Sequence, residues 1–169
     1  MNKKIGVNFV CLGNICRSPL AEGVFRHKVK EAGLEDHFDI DSSGTSSYHN
    51  GDLPDPGSIR VARRKGIDIT GQRSRLFTRQ DLERFDYTIA MDASNHNNIR
   101  RLADDVQALT GRIWLMRNFE EETDGSGHDL GVPDPWGGGA RGFEDVYDIV
   151  ERSAQNLLTW LRDRHGLID

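Results

Sequence analysis

The feature that most constrains this chain is a short apolar run that leads through a small loop into a helix start. The run at 5–10 predicts a buried strand, because it is brief and is followed by a loop containing Gly13 and Asn14. Ser18 and Pro19 predict the start of a helix. A hydroxyl can cap a helix, and proline loses no hydrogen bond in the first turn.

Strand and helix patterns alternate along the rest of the chain. Short apolar runs predict strands, and apolar residues at helical spacing predict helices. We therefore predict a single α/β domain over residues 1–169, a three-layer sandwich with a four-stranded parallel sheet flanked by helices. The predicted strands are 5–10, 38–42, 87–91 and 112–116, and the predicted helices are 18–32, 56–65, 94–103 and 144–164.

The loop at 11–17 combines a cysteine with an arginine. Cys11 ends the first strand, and Arg17 follows where the helix should begin. Successive backbone N–H groups and the helix dipole favour an oxyanion there, and they also favour a thiolate on Cys11. The planar fork of Arg17 can bind two phosphate oxygens, and Ser18 can donate to the sulfur when it leaves. A lone cysteine after a strand is more often a small buried hydrophobe, but this loop favours metal-free phosphoryl transfer.

An aspartate followed by a proline lies in the long connection at 117–143. Connections of this length in compact proteins are commonly functional. Asp134 has two interpretations: the start of a turn, which Asp-Pro often forms, or a general acid that protonates an aryl oxide as it leaves. A nucleophilic Cys11 needs such an acid, which favours the second interpretation.

Composition argues against several classes of function. A net charge of −5 argues against a nucleic-acid partner, and no apolar run is long enough to span a membrane. The polar N-terminus is unlike a signal peptide, and the two cysteines give no disulfide framework, so we expect a cytoplasmic protein. The six histidines lack ligand spacing, so we predict no metal site and no cofactor.

Charge is distributed unevenly along the chain. Basic residues dominate 60–84, and acidic residues dominate 119–148. Solvated helix faces and loops are the simpler interpretation. The alternative is that the basic stretch, with Arg73 and Arg75 in particular, borders the site and attracts phosphorylated substrates.

These motifs together resemble the signature of the low-molecular-weight protein tyrosine phosphatases, over nearly the whole chain. The most specific motif is VCLGNICRSPLAE at 10–22. The others, in chain order, are Asp41-Ser42-Ser43-Gly44-Thr45, Pro54-Asp55-Pro56, Phe85-Asp86-Tyr87, Ala90-Met91-Asp92-Ala93-Ser94-Asn95, Val132-Pro133-Asp134-Pro135 and Phe143-Glu144-Asp145-Val146-Tyr147.

The resemblance implies a role at each matching position. Cys11 would be the nucleophile that becomes a phosphocysteine, Arg17 would hold the phosphate, and Asp134 would act as general acid and then as base. Asn14 and Ser42 would hydrogen-bond to keep the phosphate loop in shape. The phosphate-binding loop would consist of Leu12, Gly13, Asn14, Ile15 and Cys16, and the cleft for an aromatic ring would be lined by Leu12, Ile15, Tyr48 and Trp136.

The implied reaction is hydrolysis of phosphotyrosine in a protein, without metal or cofactor. Candidate substrates include a tyrosine kinase, and the oligomeric state is left open. Trp136 stands where the family often has a tyrosine, which keeps an aromatic wall, while the glycines at 137–139 should make the acid-bearing loop mobile. Cys16 is either loop filler or the partner of Cys11 in a disulfide that prevents irreversible oxidation, and the resemblance favours the disulfide.

Four other classes of protein share part of this pattern. Arsenate reductases on the same scaffold need further cysteines. Arginine phosphatases carry threonine where this chain has Ile15. The branched apolar side chain of Ile15 favours a flat phenyl ring. Cysteinyl phosphocarriers lack both the arginine and the Asp-Pro acid, and an inactive phosphate-binding module would not need the full set of reactive groups present here.

Overall fold

Four parallel strands form one sheet at the centre of the molecule. The computed structural model describes residues 3–104, 106–120 and 131–167. The strands are β1 Ile5–Cys11, β2 Phe38–Gly44, β3 Tyr87–Ala90 and β4 Ile113–Leu115, in the spatial order β2-β1-β3-β4. The predicted α/β class and the four-stranded parallel sheet are confirmed.

Helices connect the strands. They are α1 Arg17–Glu31, α2 Pro56–Arg64, α3 Arg79–Arg84, α4 Ala93–Leu102, α5 Gln107–Thr110 and α6 Ala140–His165, with 3-10 turns at Glu35–His37 and Met116–Phe119. The short helices α3 and α5 were not predicted, because elements of one to two turns are too short to display an apolar period. In the described part of the chain, no helix is long and apolar enough to cross a membrane.

The sheet separates two apolar cores, which makes the fold three-layered. On one face, α1, α2 and α6 cover a core that includes Phe9 and Phe25, whose rings meet edge to face at 5.5 Å. On the other face, α3, α4 and α5 enclose a second core, which includes Val10, Leu82 and Ile99. Because Phe25 is fully buried, truncating it to alanine should cost about 3–5 kcal/mol of folding free energy.

The strand order makes the end of β1 the natural position for a site. The chain leaves β1 for β2 on one side and later crosses to β3 on the other, and ligands in open α/β sheets bind at such a switch point. Cys11 pairs in register with Gly44 there, and Phe9 pairs with Ser42. The carboxyl ends of β1, β2 and β3 therefore meet at one edge of the sheet.

The start of α1 differs from the prediction. The helix begins at Arg17 after an N-cap at Cys16, with no side-chain cap hydrogen bond. Ser18 lies inside the first turn, so its predicted capping role is wrong. Its hydroxyl is instead committed to the loop, where it contacts the Cys11 sulfur at 3.0 Å.

Candidate active site

The loop between β1 and α1 turns its carbonyl oxygens outward. In a trans peptide the C=O of one residue and the N–H of the next point in opposite directions. The N–H groups that follow these carbonyls therefore face the inside of the loop, where they can bind an anion. The outward carbonyls are those of Cys11, Leu12, Gly13, Ile15 and Cys16, which accept hydrogen bonds of 2.7–3.1 Å from Thr45 N, Ser46 N, Ser74 Oγ, Asp55 N and Ser58 Oγ.

The Cys11 sulfur lies at the bottom of this loop. Its residue is 3% exposed, and the Asn14 backbone N–H donates to Sγ at 3.2 Å. The Ser18 hydroxyl lies 3.0 Å from the same sulfur. Two polar groups, one from the loop and one from the first turn of α1, thus converge on the atom for which the sequence predicted nucleophilic attack.

Asn14 holds the shape of the loop. It has a left-handed backbone with φ of 56°, which asparagine tolerates better than most residues. Its Nδ2 donates to Ser18 Oγ at 2.8 Å and to Ser42 Oγ at 3.0 Å. The predicted contact between Asn14 and Ser42 is therefore present, and neither residue lines the cleft. Gly44 leaves room for this arrangement, since a Cβ there would lie 2.7 Å from Leu12 O.

A buried glutamate, not identified from the sequence, extends this network. Ser42 Oγ donates to Glu22 Oε1 at 2.8 Å, and Arg26 Nε donates to Glu22 Oε2 at 2.8 Å. Burial raises the pKa of Glu22 above its ordinary value, and the hydrogen bonds from Arg26 and Ser42 offset this only in part. Glu22 closes the most specific sequence motif, which was the available signal for it.

The guanidinium of Arg17 is held in place from behind. Its Nη1 donates to Asp92 Oδ2 at 2.7 Å and to the Val132 carbonyl at 3.0 Å. Its Nη2 lies 3.9 Å from Asp134 Oδ2. Asp92 was not predicted as a site residue, although its position just after β3 was a signal, because the carboxyl ends of parallel strands share one edge.

Asp134 lies at the mouth of the site, opposite the loop. Its side chain is 48% exposed, and Oδ1 accepts a hydrogen bond from Trp136 N at 3.0 Å. Val132 N donates to Met91 O at 2.7 Å, which ties this segment to the sheet edge. The structure thus brings Asp134 next to Cys11 and Arg17, although more than 100 residues separate it from them in sequence.

These groups line a cleft of about 430 Å³. Its walls contain all the residues predicted for the aromatic cleft, and Gly13 and Cys16 also reach it. Ser46 and His49 line it as well and were not predicted; His49 Nδ1 lies 3.1 Å from Asp52 Oδ2, and its ring meets that of Tyr48 at 4.7 Å. The lining residues are Cys11, Leu12, Gly13, Ile15, Cys16, Arg17, Ser46, Tyr48, His49, Asp134 and Trp136.

The basic residues of the 60–84 stretch do not face this cleft. Arg73 Nη1 donates to the Thr70 and Gln72 carbonyls and lines a separate cavity of about 800 Å³. The Arg75 guanidinium is engaged by Asp41 and Asp81. The structure therefore gives no support to direct attraction of phosphate by these two side chains.

Both cysteines are free thiols. Cys16 is 4% exposed. Burial raises its pKa strongly, and the nearby Asp55 carboxylate adds to the effect. Cys16 is therefore a neutral thiol in the same loop as Cys11. Within residues 3–104, 106–120 and 131–167, no three histidine, cysteine or acidic side chains are grouped as metal ligands.

Comparison with known proteins agrees with this geometry. A model of the family described as low molecular weight phosphotyrosine protein phosphatase matches residues 6–165. The chain is 43% identical over 159 residues to the protein of that name from Schizosaccharomyces pombe, covering 94% of this chain and 97% of that protein.

Several solved structures share this fold at more than 25% identity. The crystal structure of YfkJ from Bacillus subtilis matches with a TM-score of 0.88 and 37% identity, over 96% of this chain and 98% of that one. The Drosophila arginine phosphatase DARP matches with a TM-score of 0.82 and 30% identity, over 92% of this chain and 97% of that one. The chain belongs to the low molecular weight phosphotyrosine protein phosphatase family.

Proposed function

We propose that this protein hydrolyses phosphotyrosine in protein substrates through a phosphocysteine on Cys11. The observation that carries the proposal is the convergence of three groups: a sulfur beneath a ring of inward N–H groups, a fixed guanidinium and an exposed carboxyl. Cys11, Arg17 and Asp134 supply them within one cleft. Attack, charge stabilisation and leaving-group protonation each have a group in position.

In the first half of the reaction, the phosphate oxygens bind the loop N–H groups and Arg17. The Cys11 thiolate attacks phosphorus, the P–O bond to the tyrosine ring breaks, and Asp134 gives its proton to the departing phenolate. Charge on the phosphoryl oxygens is stabilised by donors already in place, which usually supplies the largest share of catalysis. Arg17 needs little reorganisation, because Asp92 and Val132 hold its other side.

In the second half, water attacks the phosphocysteine. Asp134, now a carboxylate, takes a proton from that water as it attacks phosphorus. The P–S bond breaks and the electron pair returns to the Cys11 sulfur. Ser18 and the Asn14 N–H contact this sulfur at 3.0 and 3.2 Å and stabilise it as a leaving group. Inorganic phosphate then leaves, and the free enzyme is restored.

The shape of the cleft supports phosphotyrosine as the substrate. Leu12 is 51% exposed, Tyr48 86% and Trp136 64%, so three large apolar side chains stand unburied around the phosphate loop. A phenyl ring can cover these surfaces, while the single methylene of phosphoserine cannot. Burial of apolar surface contributes about 25 cal/mol per Å², so the aromatic substrate binds more tightly.

Phosphoarginine is the second candidate substrate, because one structure with the same fold is named an arginine phosphatase. The guanidinium of phosphoarginine carries N–H donors, which need acceptors at the wall of the cleft. Ile15 offers only a branched apolar side chain there. We therefore place phosphotyrosine first.

The test is phosphate release from peptides of one sequence that carry phosphotyrosine, phosphoserine or phosphoarginine. The assay contains reductant and a metal chelator, and Cys11→Ser is the blank. We expect fast release from phosphotyrosine alone, with none in the variant. Preference for phosphoarginine would overturn the aromatic specificity, and release by Cys11→Ser would overturn the mechanism.

We also propose a reducing intracellular setting, because the nucleophile must remain a thiol. We further propose a phosphotyrosine-bearing protein, such as a tyrosine kinase, as the substrate.

We propose that Cys16 protects Cys11 from irreversible oxidation. Peroxide converts the Cys11 thiolate to a sulfenic acid, and attack by the Cys16 sulfur releases water and forms a disulfide that reductant reopens. Cys16→Ser should then lose activity irreversibly under peroxide, where the wild type recovers with reductant.

A further inference from the structure

A segment outside the cleft lies against the back of the loop between β1 and α1, which is called the catalytic loop below. This segment, residues 74–77, is called the strap below. It pairs with Gly44 at the end of β2, through Gly44 N to Arg75 O at 2.9 Å and Phe77 N to Gly44 O at 2.7 Å. Its Ser74 hydroxyl donates to Gly13 O at 2.8 Å. The strap therefore contacts the loop and the sheet edge together.

The strap also contacts the residue that shapes the loop. Arg75 N donates to Asn14 Oδ1 at 3.0 Å. A backbone N–H can only donate, so it must face the amide oxygen of Asn14, which leaves the amide nitrogen to face Ser18 and Ser42. The strap thus fixes which way the Asn14 side chain points, and Asn14 in turn directs its own N–H to the Cys11 sulfur at 3.2 Å.

The Arg75 side chain anchors the strap to two other elements. Its Nε donates to Asp41 Oδ2 on β2 at 3.1 Å. Its Nη1 and Nη2 donate to the two oxygens of Asp81 on α3, at 3.1 and 3.0 Å. The Asp81 side chain is 7% exposed and that of Arg75 33%. This is a paired, forked contact in a partly buried place, which holds geometry better than a surface ion pair.

We propose that Arg75 is a positioning residue for the reaction at Cys11. Its guanidinium fixes the strap to β2 and α3, the strap N–H fixes the Asn14 amide, and Asn14 keeps its own N–H on the sulfur. Arg75 touches neither the cleft nor the reacting atoms. The inference rests on the proposed function, in which Cys11 is the nucleophile.

The test compares Arg75→Met with Arg84→Met. Arg84 is a matched control, because it also pairs with an aspartate of β2, Asp39 at 3.2 Å, but is exposed. The first measurement is the rate of Cys11 alkylation by iodoacetamide against pH, with the labelled cysteine assigned by mass spectrometry. The second is steady-state hydrolysis of a phosphotyrosine peptide.

For Arg75→Met we expect the alkylation profile to move to higher pH and kcat to fall about 10- to 100-fold, the usual cost of misplacing a reacting group. KM should change less than kcat. Arg84→Met should match the wild type in both measurements. Arg75→Lys keeps the charge without the fork and should lie between them. It also serves as the test variant if Arg75→Met does not fold.

A double-mutant cycle with Asn14→Ala sharpens the test. If Arg75 acts through Asn14, the combined loss in kcat is smaller than the product of the single losses. Independent, multiplicative losses would overturn the proposal. So would an Arg75 variant that is less heat-stable yet keeps the wild-type alkylation profile and kcat. The alkylation profile needs no substrate, so absence of phosphotyrosine hydrolysis in the wild type would count against the proposed function instead.

Discussion

The catalytic loop and the acid-bearing segment at 131–139 face each other across the cleft, and they are held in opposite ways. Most of the loop is buried, with Leu12 as its exposed residue, its carbonyls are tied outward, and the Arg17 side chain is 4% exposed. The Asp134 side chain is 48% exposed, and its Oδ1 accepts from Trp136 N two residues away.

This difference matches what each side must do. In the proposed mechanism, the loop binds the same phosphate group in every substrate and every step, so a fixed ring of donors lowers the barrier without reorganisation. The acid must approach leaving groups of different proteins and later admit a water molecule. A peripheral segment that ends in three glycines suits that task. Changes in the loop should therefore impair phosphate binding and rate together, whereas changes in the segment should affect single steps.

The largest effect should come from Arg17→Ala, on the fixed side. Arginines that stabilise phosphoryl transfer contribute about 10³- to 10⁵-fold, and we expect kcat/KM to fall by that order. Inhibition by inorganic phosphate should weaken as well. The exposed Arg60 on α2 provides the control, since Arg60→Ala should leave both unchanged. Unaltered phosphate inhibition in Arg17→Ala would contradict the assignment of a fixed phosphate site.

Asp134→Ala should come next. A positioned general acid contributes about 10²- to 10⁴-fold, and kcat for phenyl phosphate should fall within that range. The loss should be smaller for a nitrophenyl phosphate, whose leaving group needs no proton. Phosphate inhibition should stay close to that of the wild type. Equal losses for both substrates, or lost inhibition, would show that Asp134 supports the loop instead.

A smaller effect is expected from Trp136→Ala, which removes an aromatic wall from the exposed side. Aromatic pairs contribute about 0.5–1.5 kcal/mol beyond burial, so KM for a phosphotyrosine peptide should rise about 3- to 10-fold, since 1.36 kcal/mol is tenfold. Trp136→Phe should restore most of the affinity. A fall in kcat with KM unchanged would instead show that this residue places Asp134.

The smallest effect is expected from Glu22→Gln, behind the loop, and it concerns folding stability. Burial raises the pKa of Glu22 above 4.5, so the folded state favours its neutral acid. The stability that this preference adds is complete below pH 4.5 and is lost as pH rises through the folded pKa. Glu22→Gln stays neutral, so its free energy of unfolding should rise relative to the wild type with increasing pH.

Urea unfolding of both proteins at mildly acid and neutral pH measures this difference. Glutamine keeps an acceptor for the Ser42 hydroxyl, so kcat should change little. If the free energy of unfolding of the wild type rose relative to that of Glu22→Gln as pH increased, this would contradict a raised pKa of Glu22.

Much of the fold followed from local pattern. The four strands were placed within about two residues, a margin normal for boundary assignment. Three of them are short, mostly apolar runs, and β2 begins with alternating apolar and polar residues. The last helix begins at Ala140 rather than 144, since the start of its apolar stripe does not mark its first turn. Part of the connection predicted at 117–143 falls on residues 121–130, outside the described residues.

The candidate site also has a part that the sequence predicted and a part that it did not. Cys11, Arg17 and Ser18 belong to one local motif, so the sequence identified them, whereas the loop conformation depends on hydrogen bonds from residues distant in sequence. Asp92 and His49 were missed, and Arg75 was predicted only to border the site, because their placement depends on elements distant in sequence. Asp92 binds Arg17, His49 lines the cleft, and Arg75 N donates to Asn14 Oδ1. No local pattern identifies a residue whose role depends on what packs beside it.

The sequence by itself determined the parallel α/β fold, the local motif at 10–22 and the family, because these depend on apolar period, turn chemistry and a contiguous motif. Only the tertiary structure decided that Arg17 rests on Asp92, that Asp134 stands exposed opposite it, and that the Arg73 and Arg75 guanidinium groups do not face the cleft. Those outcomes depend on which side chains meet when strands distant in sequence pair. Electrostatics and burial at that edge are set by the assembled sheet and not by any one segment.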